Sequence, residues 1–278
     1  MDDLRKSFLT MPRSVLEQYF VDATRSQYLG NNTVLCKILG SKKFFAIADD
    51  VGFSSHMIFD GYWEYWLSQH FCETIQPGDT VLDIGANLGY YTLIAADLVG
   101  PAGRVIAIEP NPHVFDLLSK SVQVNGYTRQ TTLRNHALGS QDARGVHPFF
   151  VPRNEPKNGR FVGLHEDIAF LQTHGTVFDV QLGNIADEPL DRVDFIKIDV
   201  EGAEIEILRN LRPIIEKYRP KIVCEVNFAR GYSYADVREA MLETGELKHL
   251  DFDATVKPLT EAMAQKERFG DDWLVCVS

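Results

Sequence analysis

The stretch Val81-Leu-Asp-Ile-Gly-Ala-Asn-Leu-Gly-Tyr90 decides the fold of this chain of 278 residues. Its apolar start predicts a short strand, its spaced glycines predict a tight turn, and the residues behind it predict a helix. A strand that enters a helix through such a turn is typical of nucleotide-binding folds, because the N–H groups at the helix start can hold an anion. The sequence therefore predicts a nucleotide-like ligand at this turn.

A second predicted strand, Arg104-Val-Ile-Ala-Ile108, ends at Glu109, which is followed by Pro110-Asn-Pro112. A carboxylate at the end of the neighbouring strand can accept hydrogen bonds from the hydroxyls of a ribose. We therefore predict that Glu109 binds a ribose. The alternative is that it only caps the helix that follows.

The details of the turn separate two classes of cofactor. A dinucleotide fingerprint requires glycine at three positions, and here Asn87 replaces the second and Tyr90 the third. Asp83 lies two residues before Gly85, where it would repel a pyrophosphate but can face a cationic amino-acid group. These differences favour S-adenosylmethionine over NAD.

From Thr80 onward, predicted strands alternate with predicted helices. This pattern indicates an α/β fold with a mostly parallel sheet, helices on both faces and ligand sites at the carboxyl ends of the strands. We predict a cofactor-binding domain over residues 77–278. Residues 139–176, approximately, are rich in Pro, Gly, Asn and His and are predicted to be a long irregular loop that can act as a lid.

Residues 1–76 have a different pattern, with a helix, two short strands and an aromatic-rich helix that contains Tyr62, Trp63 and Trp66. We predict that they form an α+β extension over the active-site edge, called here the amino-terminal extension. The aromatic side chains could stack against a sugar or an adenine, although packing of the helix on the core explains most of the pattern.

The overall composition and charge bear on the partners, the location and the cysteine chemistry of the protein. A net charge of −11 argues against nucleic acid, because phosphate binding needs a basic surface. No run reaches the roughly 20 apolar residues of a membrane span, and the first residues do not resemble a secretion signal, so a cytoplasmic location is predicted. The four cysteines stand far apart and are predicted to be buried, reduced thiols.

Four motifs together resemble the FkbM-like S-adenosylmethionine-dependent methyltransferases. They are Asp83-Ile-Gly-Ala-Asn-Leu-Gly-Tyr-Tyr-Thr92, Glu109-Pro-Asn-Pro112, Ile196-Lys-Ile-Asp-Val-Glu-Gly-Ala-Glu204 and Gly61-Tyr-Trp-Glu64. The resemblance covers roughly residues 55–230. It implies a Rossmann-like class I methyltransferase fold, usually with seven strands of which the last is antiparallel. It also implies O-methylation of hydroxyls on sugars or polyketide-like natural products.

The motifs, with the end of the third predicted strand, give a set of candidate cofactor ligands. The residues predicted to bind the cofactor are Glu64, Asp83, Gly85, Ala86, Asn87, Tyr90, Glu109, Pro110, Asn111, Asn135, His136, Ala137 and Asp199.

Methyl transfer to a hydroxyl requires alignment of the reactants and a base that removes the hydroxyl proton. Asp199 is the best candidate, because it ends the fourth strand beside the cofactor-binding strand, and Glu201 and Glu225 are further catalytic candidates. These three carboxylates could instead bind a divalent metal ion, which we consider possible but do not predict. Other alternative bases are His56, His147, His165 and His174.

The predicted function is S-adenosylmethionine-dependent O-methylation of a small-molecule or saccharide acceptor. One alternative is a module that binds the cofactor without catalysing a reaction. An NAD-dependent oxidoreductase is less favoured, because Asn87 and Tyr90 depart from its fingerprint.

Overall fold

The structure is a computed structural model that describes residues 3–139, 144–163, 165–266 and 272–277. In the amino-terminal extension, helices surround a three-stranded antiparallel sheet. The elements there are α1 (Leu4–Thr10), α2 (Arg13–Ala23), β1 (Arg25–Gly30), β2 (Thr33–Ile38), β3 (Lys42–Ile47), α3 (Ser54–Phe59) and α4 (Tyr65–Thr74).

Strands and helices alternate in the remainder of the chain. The elements are β4 (Thr80–Ile84), α5 (Tyr90–Val99), β5 (Arg104–Ile108), α6 (Pro112–Val124), β6 (Thr131–Arg134), β7 (Ala137–Leu138), β8 (Gly145–Pro152), β9 (Arg160–Phe161), α7 (Ile168–His174), β10 (Gly175–Gly183), β11 (Phe195–Ile198), α8 (Glu204–Tyr218), β12 (Lys221–Asn227), α9 (Tyr234–Ala240), β13 (Leu247–Leu250), β14 (Val256–Leu259), α10 (Glu261–Ala264) and β15 (Asp272–Val277).

The central sheet has the strand order β14-β13-β15-β12-β11-β4-β5-β6. The strands from β12 to β6 are parallel, and the last strand, β15, is antiparallel to β12. The predicted Rossmann-like α/β fold is therefore confirmed. The sheet has one strand more than the predicted seven, because β14 forms an edge hairpin with β13. β14 has only four residues and contains Pro258. An edge strand tolerates a proline, but a proline in so short a segment argues against a strand when only the sequence is considered.

Much of the stretch predicted to be a long irregular loop has regular structure. A second sheet, with the order β7-β10-β8-β9, is built largely from residues 145–183 and is accompanied by α7. Eight residue pairs join β8 to β10, from Gly145 opposite Leu182 to Pro152 opposite Gly175. The strand propensity of β8 is obscured by its two prolines, and its partner lies far away in the sequence, so local patterns do not reveal the pairing.

The side chains of the central sheet alternate between two apolar cores. On one face, the side chains pack against α8 and α9, and they include Leu82, Ile106 and Ile196. On the other face, Val81 and Phe195 pack against α4, α5 and the amino-terminal extension. The ring centroids of Phe71 in α4 and Phe195 lie 4.9 Å apart, so α4 covers this second face directly.

The same alternation directs a row of ionisable side chains toward the extension. Asp83 lies two residues beyond Val81 on β4, and Lys197 lies two residues beyond Phe195 on β11. Glu225 has the same relation to Val223 on β12. The sheet therefore presents charged groups on the face that α4 and α5 cover.

Within the described ranges, no helix combines the length and the apolar character needed to cross a bilayer.

Candidate active site

A cavity of about 590 Å³ opens at the carboxyl ends of β4, β5, β11 and β12. Its volume lies in the range of roughly 300–1,000 Å³ that is usual for small-molecule sites. The opposite wall comes from α2, α4 and the segment before α4. Most of the predicted cofactor ligands line this cavity. Three do not, namely Asp83, Asn111 and Asn135.

The turn after β4 is fixed by the adjacent strand and by its own left-handed residues. The N–H groups of Gly85 and Ala86 both donate to the carbonyl of Ile108 at 3.0 Å. Gly85 has a φ of +78°, and a Cβ there would lie 1.7 Å from the carbonyl oxygen of Asp199. The sequence predicted that this glycine admits a ligand. The structure supplies a further reason, because the protein's own backbone already occupies the space of a side chain.

Glu109 is held in place by two backbone groups. Its Oε2 accepts from the N–H of Asn87 at 2.9 Å, and its Oε1 accepts from the N–H of Asn111 at 2.8 Å. Burial raises the pKa of Glu109 to about 7, although the two N–H donors oppose the shift. Each carboxylate oxygen has a second lone pair, so the group can still accept two hydroxyl donors at the cavity wall.

Asn111 and Asn135 support Glu109 without lining the cavity. The Nδ2 of Asn135 donates to the carbonyls of Glu109 and Pro110 at 2.9 and 3.1 Å. The Oδ1 of Asn111 accepts from N–H groups in the first turn of α6 and caps that helix. The next residues, His136 and Ala137, do reach the cavity, beside the end of β5.

Asp83 lies behind the turn and is fully buried. Its Oδ2 accepts from the hydroxyl of Thr92 at 2.5 Å. Its Oδ1 has no hydrogen-bond partner among the described residues and lies 3.8 Å from Nζ of Lys197. Burial raises the pKa of Asp83, and the Lys197 ammonium opposes that shift. The structure therefore places Asp83 against Lys197 and not at the cavity wall where a cationic ligand would meet it.

The three catalytic candidates meet at one end of the cavity but have different partners. Asp199 Oδ2 is 3.3 Å from Nζ of Lys197, and 31% of its side chain is exposed. Glu201 is paired with Arg230. Burial and the nearby Asp199 raise the pKa of Glu201 to about 6. Burial, followed by Asp199 and other carboxylates, raises the pKa of Glu225 well above its ordinary value. Asp199 thus differs from the other two in that its partner is the buried cation Lys197.

Glu64 adds a fourth carboxylate from the opposite wall. It precedes α4 with a φ of 36°, and its Oε2 accepts from the hydroxyl of Tyr91 at 2.6 Å. Burial raises the pKa of Glu64, and the Tyr91 hydrogen bond opposes the shift. Tyr90 is also buried, and its hydroxyl oxygen accepts from the N–H of Trp63 at 3.1 Å. Two side chains of α5 therefore fix the residues that precede α4.

Aromatic side chains form the outer part of the cavity. The rings of Trp66 and Phe252 pack edge to face, with their centroids 4.8 Å apart. Trp63 lies 4.8 Å from the ring of His56 and beneath the ammonium of Lys157. Trp66 lies in α4, but Tyr62 and Trp63 precede that helix, so the prediction that the helix contains them is wrong. Both tryptophans line the cavity, so packing on the core does not account for all of their surface.

Sequence reasoning missed Lys197 and Arg230, the cations that pair with the catalytic candidates. Lys197 had a detectable signal, because it is a charged residue in the buried apolar strand Phe195–Ile198. Arg230 had none, since it follows β12 in a short helical turn and meets Glu201 only in the fold. Of the alternative bases, His56 lines the cavity, whereas His147, His165 and His174 do not. In the part of the chain that the structure describes, no three His, Cys, Asp or Glu residues are grouped to hold a metal ion.

The family model of the methyltransferase FkbM domain matches residues 83–252, more than half of the chain. The chain belongs to this family. It is 30% identical over 152 residues to Methyltransferase 1 of Beauveria bassiana, a match that covers 49% of this chain and 59% of the relative. The chain thus spans about 60% of the length of the fungal relatives that it matches.

Two proteins named FkbM are also similar to this chain. The 31-O-demethyl-FK506 methyltransferase FkbM of Streptomyces tacrolimicus is 27% identical, over 56% of this chain and 68% of its own length. A crystal structure of the methyltransferase FkbM of Methylobacillus flagellatus is 17% identical, with a TM-score of 0.44, and covers 76% of this chain and 52% of that one.

S-adenosylmethionine is the cofactor of this FkbM-family chain, and the donor set at the cavity fits it. The Glu109 carboxylate retains acceptor capacity for ribose hydroxyls. The start of α5 offers backbone N–H groups for a carboxylate. Asp199 and Glu64 supply negative charge for the cationic groups of the cofactor. We propose these roles for the individual residues.

We expect Gly85→Ala to disrupt the turn. The left-handed conformation should lower the free energy of unfolding by about 1–2 kcal/mol for alanine, and the clash with Asp199 should lower it by about 1–3 kcal/mol more. Gly78→Ala is the matched control, because Gly78 has a φ of +89° with nothing within 4 Å of its Cβ position. Denaturant titration measures both. Equal destabilisation of the two variants would contradict the close contact with Asp199.

We also expect cofactor binding to weaken as the pH falls through about 7, where Glu109 gains a proton. The carboxylate form accepts two hydroxyl donors, so binding at lower pH requires loss of that proton. The Kd of S-adenosylhomocysteine should be roughly tenfold higher at pH 6 than at pH 8. Isothermal titration checks this, and Glu109→Gln should bind weakly with a flat profile. A Kd that does not change with pH in the unmodified protein would argue against ribose binding by Glu109.

Proposed function

We propose that this protein is an S-adenosylmethionine-dependent O-methyltransferase that acts on a hydroxyl of a sugar-containing or natural-product small molecule. One observation carries the proposal. Asp199 lines the cavity beside the cofactor turn, with one carboxylate oxygen held by Lys197 and the side chain partly exposed to the cavity. That arrangement suits a base for a hydroxyl acceptor.

The cofactor, when bound, supplies an electrophilic methyl group on a sulfonium. Glu109 binds the ribose, and the turn at residues 85–89 holds the amino-acid end. Asp199 Oδ2 is hydrogen-bonded to Lys197, which leaves Oδ1 to accept the proton of the acceptor hydroxyl. Glu225 is less suited to this role, because burial and the neighbouring carboxylates raise its pKa well above its ordinary value.

The amino-terminal extension and the aromatic residues at the cavity mouth form the proposed acceptor side. Trp66 and Phe252 contact each other at the cavity, and their exposed ring surface can cover the apolar face of a sugar ring or a macrocycle. Arg13 of α2 donates to the carbonyl of Phe252 at 2.8 Å, so the extension also fixes this wall. Exclusion of water by such a wall favours transfer to the acceptor over transfer to solvent.

The charge of the cavity favours an acceptor without negative charge. Carboxylates outnumber cations along its walls, and two of the three lining cations, Arg13 and Lys197, are already paired with Glu17 and Asp199. A phosphate or a nucleic-acid backbone would meet repulsion there. We therefore propose neutral small molecules or saccharides as acceptors and no nucleic acid.

A methyl-transfer screen tests the proposal. The purified protein is incubated with methyl-labelled S-adenosylmethionine and with monosaccharides, glycosides, macrolides, a peptide mixture and RNA. We expect label on a hydroxyl of a small molecule. Label on RNA or peptide would overturn the acceptor class, and binding of the cofactor without any product would support a non-catalytic module. Preference for NAD over S-adenosylhomocysteine in a titration would indicate an oxidoreductase.

We expect Asp199→Asn to lower kcat by about 10²–10⁴-fold, the usual contribution of a general base. The Kd of S-adenosylhomocysteine should change far less than kcat, because this ligand lacks the sulfonium charge, the amide retains the size of the carboxylate, and Glu64 remains at the cavity wall. Asp116→Asn is the control, since Asp116 lies on the exposed side of α6, paired with Lys120. A kcat above half of the unmodified value in Asp199→Asn would contradict the assignment.

We expect Trp66→Ala to raise the KM of the acceptor several-fold, because an aromatic contact contributes about 0.5–1.5 kcal/mol beyond its buried area. The Kd of S-adenosylhomocysteine should not change. Steady-state kinetics with the acceptor found by the screen measure the first quantity, and titration measures the second. A KM in Trp66→Phe close to that of the unmodified protein would support stacking on the acceptor. An increase in the Kd of S-adenosylhomocysteine would indicate that Trp66 contacts the cofactor instead.

A further inference from the structure

Lys197 is a buried cation that occupies the centre of the site. Only 5% of its side chain is exposed, and it lies on β11 directly opposite Asp83 of β4 in the parallel pairing. A buried ammonium is costly unless it is paired and hydrogen-bonded. Although burial by itself lowers it, the carboxylates of Asp199, Asp83 and Glu225 raise the pKa of Lys197 above its ordinary value.

The ammonium joins the two halves of the site. It donates to the carbonyl of Gly85 at 3.2 Å and to Oδ2 of Asp199 at 3.3 Å. The ammonium also lies over the ring of Tyr91 in a cation–π contact, with Nζ 5.2 Å from the ring centroid. Gly85 belongs to the cofactor turn, and Asp199 is the proposed base. One side chain is therefore bonded both to the donor side and to the acceptor side of the cavity.

We propose that Lys197 is a positioning residue for methyl transfer, which fixes the orientation of Asp199 relative to the cofactor turn through its bonds to Asp199 and Gly85. The role rests on the proposed function, because it assigns the proton to Asp199. Three features support it. The ammonium is buried, its hydrogen bonds reach two functional segments, and one oxygen of Asp199 remains for the acceptor.

The rival explanation is purely structural. Lys197 could serve only to balance the buried charge of Asp83, whose Oδ1 has no hydrogen-bond partner among the described residues. Removal of Lys197 alone does not distinguish the two roles, because it leaves a buried carboxylate uncompensated and destabilises the protein. The distinction requires the removal of both charges.

The experiment compares Lys197→Met, Asp83→Asn and the double variant Asp83→Asn/Lys197→Met with the unmodified protein. The double variant replaces the buried pair with neutral groups of similar size, so its thermal stability should recover relative to Lys197→Met. Its kcat should nevertheless be at least 30-fold below that of Asp83→Asn, with the KM of the acceptor within about threefold. A positioning role lowers kcat in this way, whereas a charge-balancing role does not.

A kcat in the double variant within threefold of that of Asp83→Asn would overturn the proposal. Lys197→Arg gives a second test, because a guanidinium that reaches Asp199 should restore part of kcat, and a value no higher than that of Lys197→Met would also count against positioning.

A structural measurement keeps the proposal testable if no methyl acceptor is found. Crystals of Asp83→Asn and of the double variant are grown with S-adenosylhomocysteine. We expect the carboxylate of Asp199 to change its rotamer, or to move by more than about 0.5 Å, only when Lys197 is absent. An unchanged Asp199 in the double variant would refute the role of Lys197. Failure of the acceptor screen alone would refute only the proposed reaction.

Discussion

The site depends on a charge pair between neighbouring parallel strands. Register places Lys197 opposite Asp83, and the period of two along β11 places Asp199 on the same face. The buried ammonium stabilises the fully buried carboxylate of Asp83 and the partly exposed carboxylate of Asp199, and it also bonds to the backbone of the cofactor turn. Without this cation, the carboxyl ends of β4 and β11 would carry unbalanced negative charge inside the protein.

The amino-terminal extension converts this sheet edge into a cavity. α4 packs against β11 through Phe71 and Phe195, and Glu64 and Trp66 approach the strand ends from the other side. The cover lowers the local polarity, which is why Glu64, Glu109 and Glu225 all have raised pKa values. Burial thus adjusts the protonation of the same carboxylates that the fold brings together.

Three residues that line the cavity have a strained backbone. Glu64, Asn87 and Glu201 line the cavity with φ values of 36°, 49° and 59°, in the left-handed region that residues with a Cβ rarely adopt. Each such residue costs of order 1–3 kcal/mol, so surrounding contacts must hold it. The Tyr91 hydroxyl holds Glu64, and Arg230 holds Glu201. Strain of this kind is typical of segments that orient a side chain for binding or chemistry.

The sequence by itself determined the parallel sheet, the cofactor turn and Glu109 at the end of the second strand. Glycine spacing and strand periodicity are local properties, so they can be read without the fold. The tertiary structure decided which groups act together. It placed Asp83 behind the turn, paired Glu201 with Arg230 and left Asp199 facing the cavity. It also joined β8 to β10 across about 30 residues and added β14 at the sheet edge. These outcomes depend on burial and on contacts between distant segments, which no local pattern of residues encodes.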